Sequence, residues 1–181
     1  ILRRCALPVP RSWPAPGRPD APMPRHSETR LVPHSAAQMY ALVADVRSYP
    51  EFLPWVVAMR IRSDSATETI ADMIVGFKGL RESFSSRVVK TPGEAISVDY
   101  LDGPMRHLHN EWRFTPTETG GCRVDFMVDF AFRSSLFERM AGQMFDRALR
   151  KMIAAFETRA DGLYGTSSSM SGAASNMSAA G

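Results

Sequence analysis

Cysteine is scarce in this sequence: Cys5 and Cys122 are the two residues of that type, they stand far apart, and no CxxC pair occurs. That pattern excludes a disulfide scaffold, a zinc ribbon and a dithiol redox site. Long apolar runs are missing as well, and no stretch approaches the roughly 18 consecutive apolar residues of a membrane-spanning helix. There is no glycine-rich phosphate loop, no GxSxG and no HExxH, so the sequence marks of nucleotide binding, a hydrolase elbow and a zinc protease are absent. Charge of one sign is also lacking once its position is considered. The formal net charge of +3 comes from 22 basic and 19 acidic residues, and residues 1–24 account for all of it with four arginines against one aspartate. The rest of the chain balances at 18 of each. Nucleic-acid binders concentrate basic residues on the folded domain, so DNA binding is not expected.

What remains is a chain of 181 residues, 44% of them hydrophobic, enough for one domain with a buried core. Seven of the 13 prolines fall in residues 1–24. Proline lacks the amide donor and fixes φ, so no continuous helix forms there. The chain begins with Ile1, and Met23 stands just before the first patterned segment. Residues 1–22 therefore read as a disordered leader or an upstream mistranslation with the start at Met23; a mitochondrial targeting peptide is the alternative. At the other end, residues 166–181 (TSSSMSGAASNMSAAG) carry no charge and almost no bulky side chain, the composition of a disordered tail. The folded domain is expected over residues 25–165.

Within it, residues 26–32 read as a first strand, and Ser35 is placed to N-cap a helix over 36–46. Pro50 and Pro54 bracket a second, short helical turn. Six strands follow at 55–62, 66–77, 80–90, 95–101, 105–115 and 122–132, separated by turn residues such as Pro92-Gly93 and Asp102-Gly103-Pro104. The alternation of Cys122, Val124, Phe126, Val128 and Phe130 with polar neighbours shows one greasy face and short links, an antiparallel meander. Last comes a long helix opened by a Ser135–Glu138 capping box and ending near Gly162, with Leu136, Met140, Met144, Phe145, Ala148, Met152 and Phe156 as its apolar stripe. This order of elements specifies an α+β helix-grip fold: a curved antiparallel sheet wrapped around a long C-terminal helix, with a hydrophobic cavity between them.

Strand parity gives the inner face of that sheet. It holds Met73, Val75 and Phe77; Glu82, Phe84, Ser86 and Val88; Ile96, Val98 and Tyr100; Arg106, Leu108, Asn110, Trp112 and Phe114; and Phe126, Val128 and Phe130. On the residues alone this is either packed core or the wall of a pocket. Two features point to the pocket. Flexible methionines (Met140, Met144, Met152) lie on the helix stripe, and Glu82, Arg106 and Asn110 are polar groups on an apolar wall that need partners. The expected cavity wall is Phe77, Phe84, Val88, Val98, Tyr100, Leu108, Trp112, Phe126, Phe130, Met140, Met144, Ala148 and Met152, with Glu82, Arg106 and Asn110 as candidates for a ligand's head group. Phe52, Leu53 and Trp55, in a turn with few charges, are either a membrane-facing gate or a plug at the end of the core. His107, His109 and Glu111 alternate on one strand face, but parity turns them outward, so no metal site is assigned. No nucleophile can be identified and no catalytic residue is assigned; Glu82 or Tyr100 facing the cavity leaves proton-transfer chemistry as an alternative.

The segments HSETRLVPHSAAQMYALVADVRSYPEFLPW, VGFKGLRESFSSRV, YLDGPMRHLHNEWRF, GCRVDFMVDFAFRS and FDRALRKMIAAFETRADGLYG, taken in order, resemble the coenzyme Q-binding START-like proteins. In bacteria these are also labelled RatA-family or polyketide cyclase/dehydrase-like proteins. The resemblance covers about residues 23–165. It implies a helix-grip fold whose tunnel holds ubiquinone or another polyprenyl lipid, and a non-enzymatic quinone carrier serving respiration and ubiquinone biosynthesis. It also implies a peripheral place on the cytoplasmic side of the bacterial inner membrane, or at the mitochondrial inner membrane if the leader is a targeting peptide. The RatA label implies a different partner, the large ribosomal subunit, whose association with the small one is blocked; the balanced charge of the domain argues against this, although Arg139, Arg147, Arg150 and Lys151 on the last helix leave room for a local basic patch. The cyclase label implies an enzyme. A quinone head has two carbonyl acceptors, which Arg106, Asn110 or Tyr100 would meet, with Glu82 holding Arg106.

Overall fold

The structure, a computed structural model, describes residues 25–77, 80–133 and 135–165, without the side chains of residues 77, 80, 132 and 135–146. Alternating apolar and polar residues build the strands, and three- and four-residue spacings build the helices. The order is β1 (Arg25–Val32), α1 (Ala36–Ala44), a 3-10 turn (Val46–Ser48), α2 (Tyr49–Phe52), β2 (Val56–Asp64), β3 (Glu68–Phe77), β4 (Leu80–Thr91), β5 (Ala95–Asp102), β6 (Met105–Pro116), β7 (Cys122–Phe132) and α3 (Ser135–Tyr164). Among the described residues the strands form one seven-stranded antiparallel sheet in the order β1-β7-β6-β5-β4-β3-β2. β2 to β7 meander from hairpin to hairpin, and β1 pairs with β7 on the far edge.

Local chemistry sets the element ends. Ser35 Oγ accepts from the Gln38 N–H at 3.3 Å, and Gln38 Oε1 accepts from the Ser35 N–H at 2.8 Å, a complete capping box at the start of α1. The helix stops two residues earlier than its periodicity predicts, because Asp45 leaves helical geometry and Val46 begins the 3-10 turn. Pro50 lies in the first turn of α2, where its missing donor costs nothing. Gly103, in the β5–β6 turn, has φ +137°, and a Cβ there would come within 2.7 Å of Phe84 Cβ.

Two clusters form the core. Met39, Leu42 and Val43 of α1 pack with Val46, Leu53 and Val56 against Val88, Ile96, Phe114 and Val124 of the sheet. Leu149 and Ile153 of α3 pack on Phe126, Val128 and Phe130 of β7. Each such buried side chain contributes roughly 1.5–3 kcal/mol. The buried stripe on the described part of α3 is Leu149, Ile153, Phe156 and Ala160, flanked by half-buried Met152. This corrects the expected stripe: Ala148 is exposed, lying about 100° round the helix from Leu149. Leu136, Met140, Met144, Phe145 and the Ser135–Glu138 box lie outside the described side chains. The helix ends at Tyr164 rather than Gly162 and is fastened to α1. His34, 4% exposed, meets Asp161 Oδ1 through Nε2 at 2.8 Å, and the Tyr164 hydroxyl donates to Gln38 O at 3.2 Å.

Candidate functional site

Burial runs out along one half of the concave face. On β3, Ala71 is buried while Met73 and Val75 are half-buried; on β4, Val88 and Ser86 are buried while Phe84 and Glu82 are half-buried. The same gradient holds on β5 from Ile96 to Val98 and Tyr100, and on β6 from Phe114 to Trp112, Asn110 and Leu108. These strands align in register, with Met73 opposite Phe84, Ser86 opposite Tyr100, and Val98 opposite Asn110. The closed end is filled by α1, α2 and the C-terminal part of α3, and β7 is sealed by Leu149 and Ile153. What is left is a largely apolar wall whose burial falls off toward the β3–β4 and β5–β6 turns. Phe84, Val88, Val98, Tyr100, Leu108, Trp112, Phe126 and Phe130 all fall on the expected concave face. Phe126, Phe130 and Val88 are fully packed, with Trp112 stacked 4.4 Å from Phe126 and 5.3 Å from Phe156. The side chains of Phe77, Met140 and Met144 lie outside the described residues.

The polar candidates separate. Glu82 is half-buried on the wall, opposite Val75. Asn110 is on the wall too, and its Oδ1 is buried without a hydrogen-bond partner. Arg106 is exposed, and no ion pair between it and Glu82 exists among the described residues. The cause is a β-bulge: Met105 pairs with Phe132 and His107 with the adjacent Ala131, so Arg106 is the extra residue. Met105, 8% exposed, takes the inward place that parity assigns to Arg106. Parity counted from the far end of a strand fails beyond a bulge, and nothing in the sequence marks this one. Tyr100 accepts the Met105 N–H at its hydroxyl oxygen, 3.1 Å away, and stands beside Phe84. Ser86, Met73 and Val75 also belong to this wall; their strand parity was the signal that finds them.

The turn holding Phe52, Leu53 and Trp55 packs against the core. Leu53 is 4% exposed inside the core. Phe52 is half-buried with its ring 5.1 Å from Phe156 and 5.7 Å from Tyr49, and the Arg159 guanidinium lies 5.6 Å from its centroid. Arg159 also donates to Glu51 Oε2 at 2.6 Å, clipping α2 to α3. The Tyr49 hydroxyl donates to Val43 O at 2.7 Å, and burial raises its pKa above the usual phenol value, with Asp45 adding to the shift. Trp55 is half-buried, and its carbonyl accepts the Gly76 N–H at 2.8 Å. Phe52 and Trp55 thus pack against the core while each keeps part of its surface exposed.

On the convex face His109 sits between two acids, with Nδ1 2.7 Å from Asp99 and Nε2 3.1 Å from Glu111. Burial disfavours its charged form, but the hydrogen bonds and charges of Glu111 and Asp99 outweigh this and hold its pKa above the ordinary value. His107 is 4.0 Å from Asp129 instead. No group of His, Cys, Asp and Glu that could hold a metal ion occurs among the described residues. Burial also raises the Cys122 thiol, which is 0% exposed, so it is no nucleophile at neutral pH.

A concave apolar wall packed against one helix does not by itself name a family, and comparison with known proteins decides it. Residues 32–157 match the model of the family described as polyketide cyclase / dehydrase and lipid transport. The chain belongs to that family. It is 39% identical over 142 residues to the ribosome association toxin RatA of Escherichia coli (strain K12), covering 78% of this chain and 90% of that one. It is 35% identical over 144 residues to the mitochondrial coenzyme Q-binding protein COQ10 homolog B of Xenopus laevis, covering 77% of this chain and 59% of that one. A START superfamily protein from Mycobacterium smegmatis shares the fold, with a TM-score of 0.67 at 17% identity over 77% of this chain and 98% of that one. The helix-grip architecture expected from the sequence is thus the one observed. No described helix of this family member is long and apolar enough to cross a membrane.

Proposed function

We propose that the domain binds ubiquinone or a related polyprenyl lipid against the concave wall and carries it as a quinone chaperone, supporting respiration and ubiquinone biosynthesis without catalysing a reaction. The observation that carries this reading is the loss of burial along β3 to β6, which leaves Met73, Phe84, Val98 and Leu108 part-exposed on an otherwise apolar face. A long hydrocarbon tail covers such a surface with a gain of about 0.8 kcal/mol for each buried CH₂. The resemblance to a mitochondrial coenzyme Q-binding protein supports the same ligand class. The carrier works as a peripheral protein beside the quinone-holding membrane, on its cytoplasmic side in a bacterium. The test is organic extraction of protein purified from a quinone-producing host, followed by mass spectrometry. Near-stoichiometric ubiquinone is the expected result; folded protein without lipid overturns the proposal.

A second reading, association with the large ribosomal subunit, is favoured by the relatives named ribosome association toxin. Arg147, Arg150 and Lys151 are exposed on α3 and supply a local basic patch on a domain of balanced charge; the Arg139 side chain lies outside the described residues. Co-sedimentation with purified large subunits that weakens from 50 to 300 mM salt, and weakens again in an Arg147→Glu, Arg150→Glu variant, is the expected outcome under this reading. Sedimentation indifferent to both removes it.

A further inference from the structure

An antiparallel meander turns back at every link. The β2–β3, β4–β5 and β6–β7 links therefore gather at one end of the sheet, and the β3–β4, β5–β6 and β7–α3 links at the other. Each link can be counted together with the two residues of each element beside it. The first end then holds four acids, Asp64, Glu68, Glu94 and Glu118, against two cations, Lys90 and Arg123. The second end reverses the balance, with Asp102 as its acid against four cations, Lys78, Arg81, Arg106 and Arg133. A domain of balanced charge is thus polarised along its strands.

The cations of the two ends also differ in their partners. At the acidic end Lys90 lies 2.9 Å from Asp64, and Arg123 lies 3.1 Å from Asp125. At the basic end Arg81, Arg106 and Arg133 are all exposed, and among the described residues none of them has an ion-pair partner; the Lys78 side chain lies outside the described residues. Two of these arginines are placed without being neutralised. The β-bulge on β6 takes Arg106 off the concave wall. Arg133 donates from Nε to Met105 O at 3.1 Å, which ties the end of β7 to the start of β6 and leaves its terminal nitrogens without a partner among the described residues. Asp102 is exposed and pairs with none of the three. Glu82 is the next acid along β4, half-buried on the concave face while Arg81 precedes it on the other. Leu101, 43% exposed, adds an apolar side chain to the same end.

We propose that this basic end is the face by which the protein docks on an anionic lipid bilayer, with Arg81, Arg106 and Arg133 meeting lipid phosphates and Leu101 entering the interface. A guanidinium fork matches phosphate oxygens in pairs, and an exposed one without an acid beside it gives up no ion pair to do so. Each basic residue near an anionic leaflet strengthens attachment about fivefold. Burial of the concave wall falls off toward this same end, so a protein docked here presents the less buried half of the wall to the bilayer. Structured RNA fits less well, since it favours a denser basic surface than four cations spread over three links and gains nothing from an exposed leucine. The docking face rests on the lipid-carrier reading above and deepens it, naming the charge of the membrane and the end of the domain that meets it.

The test is co-sedimentation of the full chain with vesicles of phosphatidylcholine alone and of phosphatidylcholine in which phosphatidylglycerol makes up about a third of the lipid. Binding to the anionic vesicles is expected to be at least tenfold tighter and to weaken as salt is raised. Arg81→Gln and Arg106→Gln, both at exposed positions, are each expected to weaken it about fivefold, and together about 25-fold. Arg133 is left intact because it holds the Met105 carbonyl. Arg113→Gln is the control: it removes the same charge from an exposed arginine near the acidic end of β6, and binding is expected to stay within about twofold of wild type. Equal binding to the two vesicle types, a double variant that binds like wild type, or an Arg113→Gln loss as large as that of Arg106→Gln overturns the docking face. So does a double variant that loses large ribosomal subunits while keeping the vesicles, which assigns this end to RNA. Organic extraction of the double variant separates the two proposals. Lipid content equal to wild type is expected, because neither arginine lies on the wall; folded wild-type protein without lipid overturns the carrier reading, whatever the vesicles show.

Discussion

Replacing Leu53 with alanine separates a core plug from a membrane-facing gate. Leu53 is 4% exposed and packs with Val43, Val46, Val56 and Phe156 where α2 closes the core. The substitution removes three carbons, worth roughly 2–2.5 kcal/mol of transfer free energy at about 0.8 each. The site is lined by helix, strand and α3 at once and cannot collapse fully, so the residual cavity adds about 1 kcal/mol more. A loss of about 3 kcal/mol follows, which for a domain of this size lowers Tm by roughly 10 °C. Urea denaturation followed by circular dichroism measures it, and an unchanged m-value shows that the loss is one of stability rather than of denatured-state compactness. Leu163→Ala, at a position 51% exposed, serves as the control and is expected to stay within about 0.5 kcal/mol of wild type. Flotation with phospholipid vesicles completes the assay: binding at 20 °C, where the variant is still folded, should equal that of wild type. Stability unchanged by Leu53→Ala, together with lost flotation, would falsify the plug.

Further outcomes follow from the geometry. Gly103→Ala forces a Cβ against Phe84 and Ser83 O at a φ that L-residues rarely adopt, and should cost more than about 2 kcal/mol in a thermal melt; a neutral result would show that the β5–β6 turn relaxes freely. Glu51→Gln should cost under about 1 kcal/mol because Glu51 is 60% exposed, whereas Arg159→Ala should cost more through the lost stacking on Phe52; equal losses would reduce the clip to its ion pair. The folded-state pKa of His109 is raised above 6.5, so its contribution is complete below that value and lost as pH rises through the folded pKa. His109→Gln should accordingly cost more stability at pH 6 than at pH 8.5, and a pH-independent cost would sink the ion-pair account of Asp99 and Glu111.

Much of the site was legible because its determinants are local. Strand parity alone places Phe84, Ser86, Val98, Tyr100, Asn110 and Trp112 on one face, and the structure puts them there. It fails at Arg106 because one inserted residue resets the alternation, and a bulge is chosen by pairing with β7 rather than by any residue type in β6. On α3 the pattern fits two overlapping stripes, one through Ala148 and one through Leu149. Docking on β7 selects the second, since Leu149 and Ile153 bury more area there than an alanine can.

By itself, the sequence determined the order of elements, the antiparallel meander, the greasy face and the balanced charge of the domain, because periodicity, turn residues and composition act over a few neighbouring positions. The tertiary structure decided which side chains of that face are fully buried and which are half-buried, that Leu53 is sealed in the core with Phe52 and Trp55 packed against it, and that Met105 rather than Arg106 takes the inward place at the start of β6. Those outcomes depend on contacts between residues far apart in the chain, such as Arg159 with Glu51 or Met105 with Tyr100, and their free energies exist only once the sheet has closed on the helix.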